Sequence, residues 1–165
     1  MFVPMTGFRV REPEMRKLGM SLPGLRARAQ AIAELPALGA LTLAGLTSDP
    51  WTCSYRGIPQ CTNFAVEQIV SEHPDLVAIS ALTASIDEAY ELSRCLRAHQ
   101  IPVVIGGLHV TACPDEAEAH CDAVIVGRGE TVWSQVLHDA QRGQLRKRPV
   151  AFRLMEARSP IQLRR

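Results

Sequence analysis

With 47% hydrophobic and 21% charged residues, this chain of 165 residues can build one core of ordinary domain size and is not disordered by composition. The formal net charge of +1 excludes a nucleic-acid binder that works through overall charge. It hides a split: from Gln141 to Arg165 eight basic residues face the single acid Glu156, which leaves residues 1–140 at −6. In chain order, Met1-Phe2-Val3 reads as the stub of a first strand, followed over residues 11–35 by an Arg-rich excursion that Pro23-Gly24 breaks. A helix is expected from about Leu38 to Leu46, an edge strand from Trp51 to Tyr55, and a second helix from about Phe64 to Ser71. Leu76-Val77-Ala78-Ile79-Ser80 is apolar on both faces, as a central parallel strand must be when helices cover both sides. Ser85 and Glu88 have the spacing of a capping box at the head of a helix whose inner face is Ile86, Ala89, Tyr90, Ser93 and Leu96. Ile101 to Ile105 is the next strand, Pro114-Asp115-Glu116 a helix start, and Ala123 to Val126 a further strand. A last helix carries Val132, Trp133, Val136, Leu137 and Ala140, and Gly143 stops it.

This alternation predicts an α/β fold: a flavodoxin-like (Rossmann-like), five-stranded parallel sheet with helices on both faces. The single domain is expected over residues 1–143, with 144–165 a basic tail or truncated linker. The tail has three readings: a solvated terminus, a contact for nucleic acid or an acidic partner, or a truncated linker to a second domain. The N-terminal stretch is interrupted early by Arg9, Arg11, Glu12 and Glu14 and does not read as a signal peptide. Five cysteines without a C-x-x-C pair read as reduced thiols, so a cytoplasmic protein with no membrane span is expected. Cys53, Cys95, Cys113 and Cys121 are expected to be small buried or half-buried groups.

Open parallel sheets bind ligands at the carboxyl ends of their strands. Those ends are Pro4-Met5-Thr6-Gly7, Ser80-Ala81-Leu82-Thr83, Gly106-Gly107-Leu108-His109 and Gly127-Arg128-Gly129-Glu130. Small residues and hydroxyls there let a large ligand approach the backbone closely. A phosphorylated receiver domain would need an aspartate where Ser80 stands. The nearest match to a dinucleotide fingerprint, from Gly127 to Val132, follows the last strand rather than the first. Both readings fail.

Four stretches together carry a resemblance: Leu35 through Leu46, Pro74 through Ser80, Val103 through Thr111, and Val126-Gly127-Arg128-Gly129-Glu130. The chain resembles the N-terminal cobalamin-binding domain of B12-dependent radical SAM proteins over about Val3 to Gly143. The resemblance implies a corrin held at the strand ends with its nucleotide tail buried. Carried over by position, Ser80, Thr83, Gly106, Gly107, His109, Gly127, Gly129 and Glu130 would line the pocket, with Thr6 and Gly7 as further members. Three departures accompany it. The D-x-H-x-x-G motif that supplies an axial histidine in other cobalamin domains is absent, which implies a base-off cofactor with no protein ligand to its metal. The loop that is commonly G-E-G-E carries Arg128 in place of the first carboxylate. No C-x-x-x-C-x-x-C occurs, so the chain lacks a radical initiator, and a separate radical SAM chain is the partner the resemblance implies. The expected function is therefore a cobalamin-binding module without catalysis of its own. A degenerate domain of the same fold that docks a protein partner is the alternative. As for His109, a histidine after a strand more commonly hydrogen-bonds than ligates a metal, and neither a membrane nor a nucleic-acid partner is expected.

Overall fold

Alternation along four short runs builds the sheet. The computed structural model describes residues 1–5 and 37–149, so Thr6, Gly7, the 11–35 excursion and the end of the tail lie outside the described residues. Strands β1 (Phe2–Pro4), β2 (Val77–Ser80), β3 (Val103–Gly106) and β4 (Ala123–Ile125) pair in parallel in that order. Val3 lies beside Ile79, Ile79 beside Ile105, and Ile105 beside Val124, all turned to one face. The intervening Phe2, Ala78, Val104, Ala123 and Ile125 face the other way, as the period of two requires. Helices α1 (Leu38–Gly45) and α6 (Trp133–Gln141) cover the second face. Helices α2 (Asn63–Ser71), α3 (Ile86–Ala98), α4 (Leu108–Ala112) and α5 (Pro114–Ala117) cover the first. Each fully buried leucine or isoleucine, such as Ile69, Leu92, Leu96 and Ile105, contributes about 1.5–3 kcal/mol.

A fifth strand over Trp51 to Tyr55 is not formed as a continuous ladder. Two isolated parallel bridges, Phe2↔Tyr55 and Met5↔Ile58, stand on the outer edge of β1 instead. The amide of Phe2 donates to Ser54 O, and those of Arg56 and Ile58 donate to Phe2 O and Pro4 O. Pro4 has no N–H to return, so the ladder is interrupted where its next rung would be.

The Ser85–Glu88 capping box is also not made. A 3₁₀ turn over Thr83–Ser85 precedes α3, and the Ser85 hydroxyl donates to Leu82 O rather than accepting from the helix. Glu88 instead accepts the amide of Cys61 at 2.6 Å. Thr62 does cap α2, accepting from the Ala65 amide. Pro114 opens α5 and Gly143, at φ +63°, follows α6, as expected from their positions. Trp133 fixes the second layer: its Nε1 donates to Thr47 Oγ1 at 2.9 Å, just past α1, and its ring packs on Phe2.

The first part of the basic segment bonds to the domain, although Arg146, Lys147 and Arg148 all remain exposed. Val124 donates its amide to Lys147 O, so this segment shields the outer edge of β4. Lys147 Nζ donates to Glu118 O and Cys121 O, and Arg148 pairs with Asp115 and Glu118. Arg146 Nε donates to Oδ2 of the buried Asp139 at 2.8 Å. That hydrogen bond holds the Asp139 carboxyl below its usual range, with Gln135 assisting. A depressed carboxyl stabilises the fold above its unfolded value of about 3.9 and loses that contribution as pH falls further. Arg146→Ala is therefore expected to lower the thermal midpoint by a few degrees at neutral pH. The difference from the parent should shrink as pH falls below about 4 and vanish only once the depressed carboxyl of the parent is also protonated.

Candidate functional site

The carboxyl ends of β2, β3 and β4 open into a cleft of about 310 Å³. Ser80, Gly106, Gly107, Gly127 and Gly129 line it together with the apolar Phe2, Leu43, Val104 and Ile125, and Glu130 stands at its side. The structure thus brings together six of the residues singled out from sequence. Besides strand residues such as Phe2, Val104 and Ile125, the cleft takes in Gly39, Ala40 and Leu43 of α1, which were missed because a short apolar helix carries no sign of which strand end it roofs. Gly129 lies tight under that roof, since a Cβ there would sit 3.3 Å from Leu43 Cδ1. Arg128 also lines the cleft, so one cation and one carboxylate, Glu130, are its charged groups among the described residues.

Gly107 is required by the backbone itself. Its φ of +124° and ψ of −176° belong to a region that only glycine occupies without strain. A Cβ there would meet Ala81 O at 2.2 Å. Gly106 differs: its Cβ would lie in ordinary contact, 3.4 Å from Ile125 Cβ.

Thr111, a further residue without a distinguishing sequence signal, ties two of these loops together. Its hydroxyl donates to Gly107 O at 2.9 Å and accepts the Gly127 amide at 3.0 Å. The β3 and β4 ends are thereby held at fixed spacing. Thr111→Val keeps the shape and deletes both bonds; a loss of about 1 kcal/mol is expected in urea unfolding.

Thr83 and His109 do not line the cleft but meet one another beside it. His109 Nδ1 lies 3.3 Å from Thr83 Oγ1, and Nε2 lies 3.3 Å from Glu116 Oε1. The Tyr90 hydroxyl donates to the same Glu116 oxygen at 3.0 Å, and the Tyr90 ring stacks on His120 at 3.9 Å. Hydrogen bonds from Tyr90 and then His109 hold the Glu116 carboxyl below its usual range. Burial first, then that bond to Glu116, pushes the Tyr90 phenol up. Of the cysteines, Cys121 is buried, as expected, whereas Cys53 and Cys113 are exposed, because each sits in a segment between helices rather than on an inner face. No helix among the described residues is long and apolar enough to cross a membrane.

Comparison with known proteins adds the chain's relatives. Residues 27–137 match the family described as B12 binding domain. Bacteriochlorophyllide d C-8(2)-methyltransferase of Chlorobaculum tepidum is 36% identical over 74 residues, covering 45% of this chain and 16% of that protein. Bacteriochlorophyllide d C-12(1)-methyltransferase of the same organism is 39% identical over 72 residues, covering 44% and 16%. An uncharacterized methyltransferase of Pyrococcus horikoshii is 32% identical over 76 residues, covering 43% and 17%. The chain thus spans about a sixth of the length of these relatives. No solved structure gives a significant match.

Proposed function

The chain belongs to the B12 binding domain family, and from that premise we propose that it is a cobalamin-binding module that holds the cofactor at its strand ends without catalysis of its own. The observation that carries this reading is the glycine-walled cleft between β2, β3 and β4. At about 310 Å³ it suits the nucleotide tail of cobalamin and is far too small for the corrin. The macrocycle would then remain at the mouth, where the exposed Leu108 and Val126 stand within two residues of the ends of β3 and β4. Ser80 and the backbone amides of the glycine loops would bind the tail, Arg128 would face its phosphodiester, and the α1 roof would exclude water. Cobalamin, when bound, supplies a cobalt centre able to carry and transfer a methyl group; the protein supplies orientation.

The edge bridges at Tyr55 and Ile58 support a five-stranded, flavodoxin-like sheet in which that segment is the second strand. Bound cobalamin is proposed to be base-off and without a protein imidazole. Two observations support this: D-x-H-x-x-G is absent, and both ring nitrogens of His109 already face Thr83 and Glu116. A radical SAM protein is the proposed partner, a reading supported by the family match and by the similarity to methyltransferases. Gel filtration of the protein mixed with hydroxocobalamin tests the reading. Co-elution of one cobalamin per chain is expected. Complete separation at high micromolar cobalamin would instead favour a degenerate interaction module, with Arg128 in the glycine loop as the first cause to examine.

A further inference from the structure

Beside the cleft, the two short helices α4 and α5 meet at Cys113. The spacing His109, Cys113, Glu116 places a residue about every turn, and the donor atoms of all three lie within 4.8 Å of one another. We propose that this triad is a zinc-class divalent metal site, separate from the cobalamin cleft and independent of the cofactor's own cobalt.

The donor set is the first argument. One imidazole, one thiolate and one carboxylate suit a borderline-soft ion in tetrahedral geometry, with a fourth position left to solvent. Around such an ion the donors stand about 3.3–3.8 Å apart, given metal–ligand lengths of about 2.0–2.3 Å. His109 and Glu116 are already at 3.3 Å, so closing the triad takes a shift of about an ångström or less. Cys113 is exposed and its side chain is able to make that shift.

The surrounding groups are the second argument. Metal-bound histidines ordinarily donate their other ring N–H to an oxygen, which fixes the tautomer. Thr83 Oγ1 faces Nδ1 of His109 and serves either way, since a hydroxyl both donates and accepts. Without metal, Nε2–H donates to Glu116; with metal, the proton moves to Nδ1, which donates to Thr83, and the Nε2 lone pair turns to the ion. Tyr90 donates to one lone pair of Glu116 Oε1 and orients the carboxylate, leaving the second lone pair of that oxygen for the metal. The side chain of His109 is only 11% exposed, so its ring is already held in place. Binding releases the Cys113 thiol proton to solvent; the imidazole keeps its proton, moved from Nε2 to Nδ1, so one proton leaves for each ion bound.

Cobalt(II) is the probe, added to chelator-treated protein free of cobalamin. The expected result is one ion per chain, a thiolate-to-cobalt charge-transfer band in the near ultraviolet, intense tetrahedral visible bands, and displacement of both by zinc. Cys113→Ser should remove the charge-transfer band, while Cys95→Ser should leave it unchanged. Tyr90→Phe should weaken binding about tenfold through loss of its hold on Glu116. Zinc should also raise the thermal midpoint of the parent but not of Cys113→Ser. A charge-transfer band that survives Cys113→Ser, pale octahedral cobalt without that band, or no binding at micromolar cobalt would each overturn the proposal.

Discussion

Gly107→Ala should destabilise the protein by about 3–5 kcal/mol, conformational strain and overpacking each supplying a part. The added Cβ meets Ala81 O at 2.2 Å, where the collision partner is backbone at the end of β2 and not a side chain able to turn away. Relief requires the β3–α4 turn to move. That turn carries the bonds Ala81 N–H to Gly106 O and Thr111 N–H to Gly107 O, so both loosen with it. Against a total stability of about 5–15 kcal/mol, the loss is a large share, and the thermal midpoint should fall by more than about 10 °C. Any loss of ligand in this variant would therefore report on folding. A midpoint within a few degrees of the parent would contradict the φ and the contact described for Gly107.

Gly106→Val separates ligand from fold. The Cβ at this position reaches ordinary contact with Ile125 and collides with nothing. A β-branched residue suits a strand, and replacing glycine removes freedom from the unfolded chain, so the net cost should stay near 1 kcal/mol. Its methyl groups nevertheless enter the cleft wall where the cofactor tail would meet backbone. A drop of about tenfold or more in cobalamin affinity is expected, equivalent to about 1.4 kcal/mol, with the midpoint little changed. Unaltered affinity would mean that the β3 edge does not hold the cofactor.

The contrast between these two adjacent glycines shows what sequence alone carries. Gly106-Gly107 marks a close backbone approach, but which of the pair is indispensable depends on Ala81, which another strand brings near. The strands over Leu76–Ser80 and Ile101–Ile105 were legible because a run apolar on both faces has one stable place, the middle of a covered parallel sheet. The edge segment was legible only as a location, since its continuity depends on which way the missing N–H of Pro4 points. Ser85-x-x-Glu88 matched a capping box in spacing, yet the preceding 3₁₀ turn and the distant amide of Cys61 claimed both side chains. Six cleft residues end or follow strands and could be read from that rule, whereas the α1 roof could not. The spacing of His109, Cys113 and Glu116 was present in the sequence, but Pro114 between them obscured that two short helices keep one face.

The measurement that bears most directly on cobalamin binding at these strand ends is electron paramagnetic resonance of the protein with cob(II)alamin at neutral pH. Free cob(II)alamin keeps its own benzimidazole on cobalt, and its spectrum carries nitrogen superhyperfine splitting. If the nucleotide tail is drawn into the glycine-walled cleft and His109 stays with Thr83 and Glu116, that splitting should disappear and the base-off form should build up to one equivalent per chain. Persistent nitrogen splitting in a complex that co-elutes would place an imidazole or the benzimidazole on cobalt and contradict the base-off reading. A spectrum identical to free cob(II)alamin, with no co-elution, would contradict binding itself.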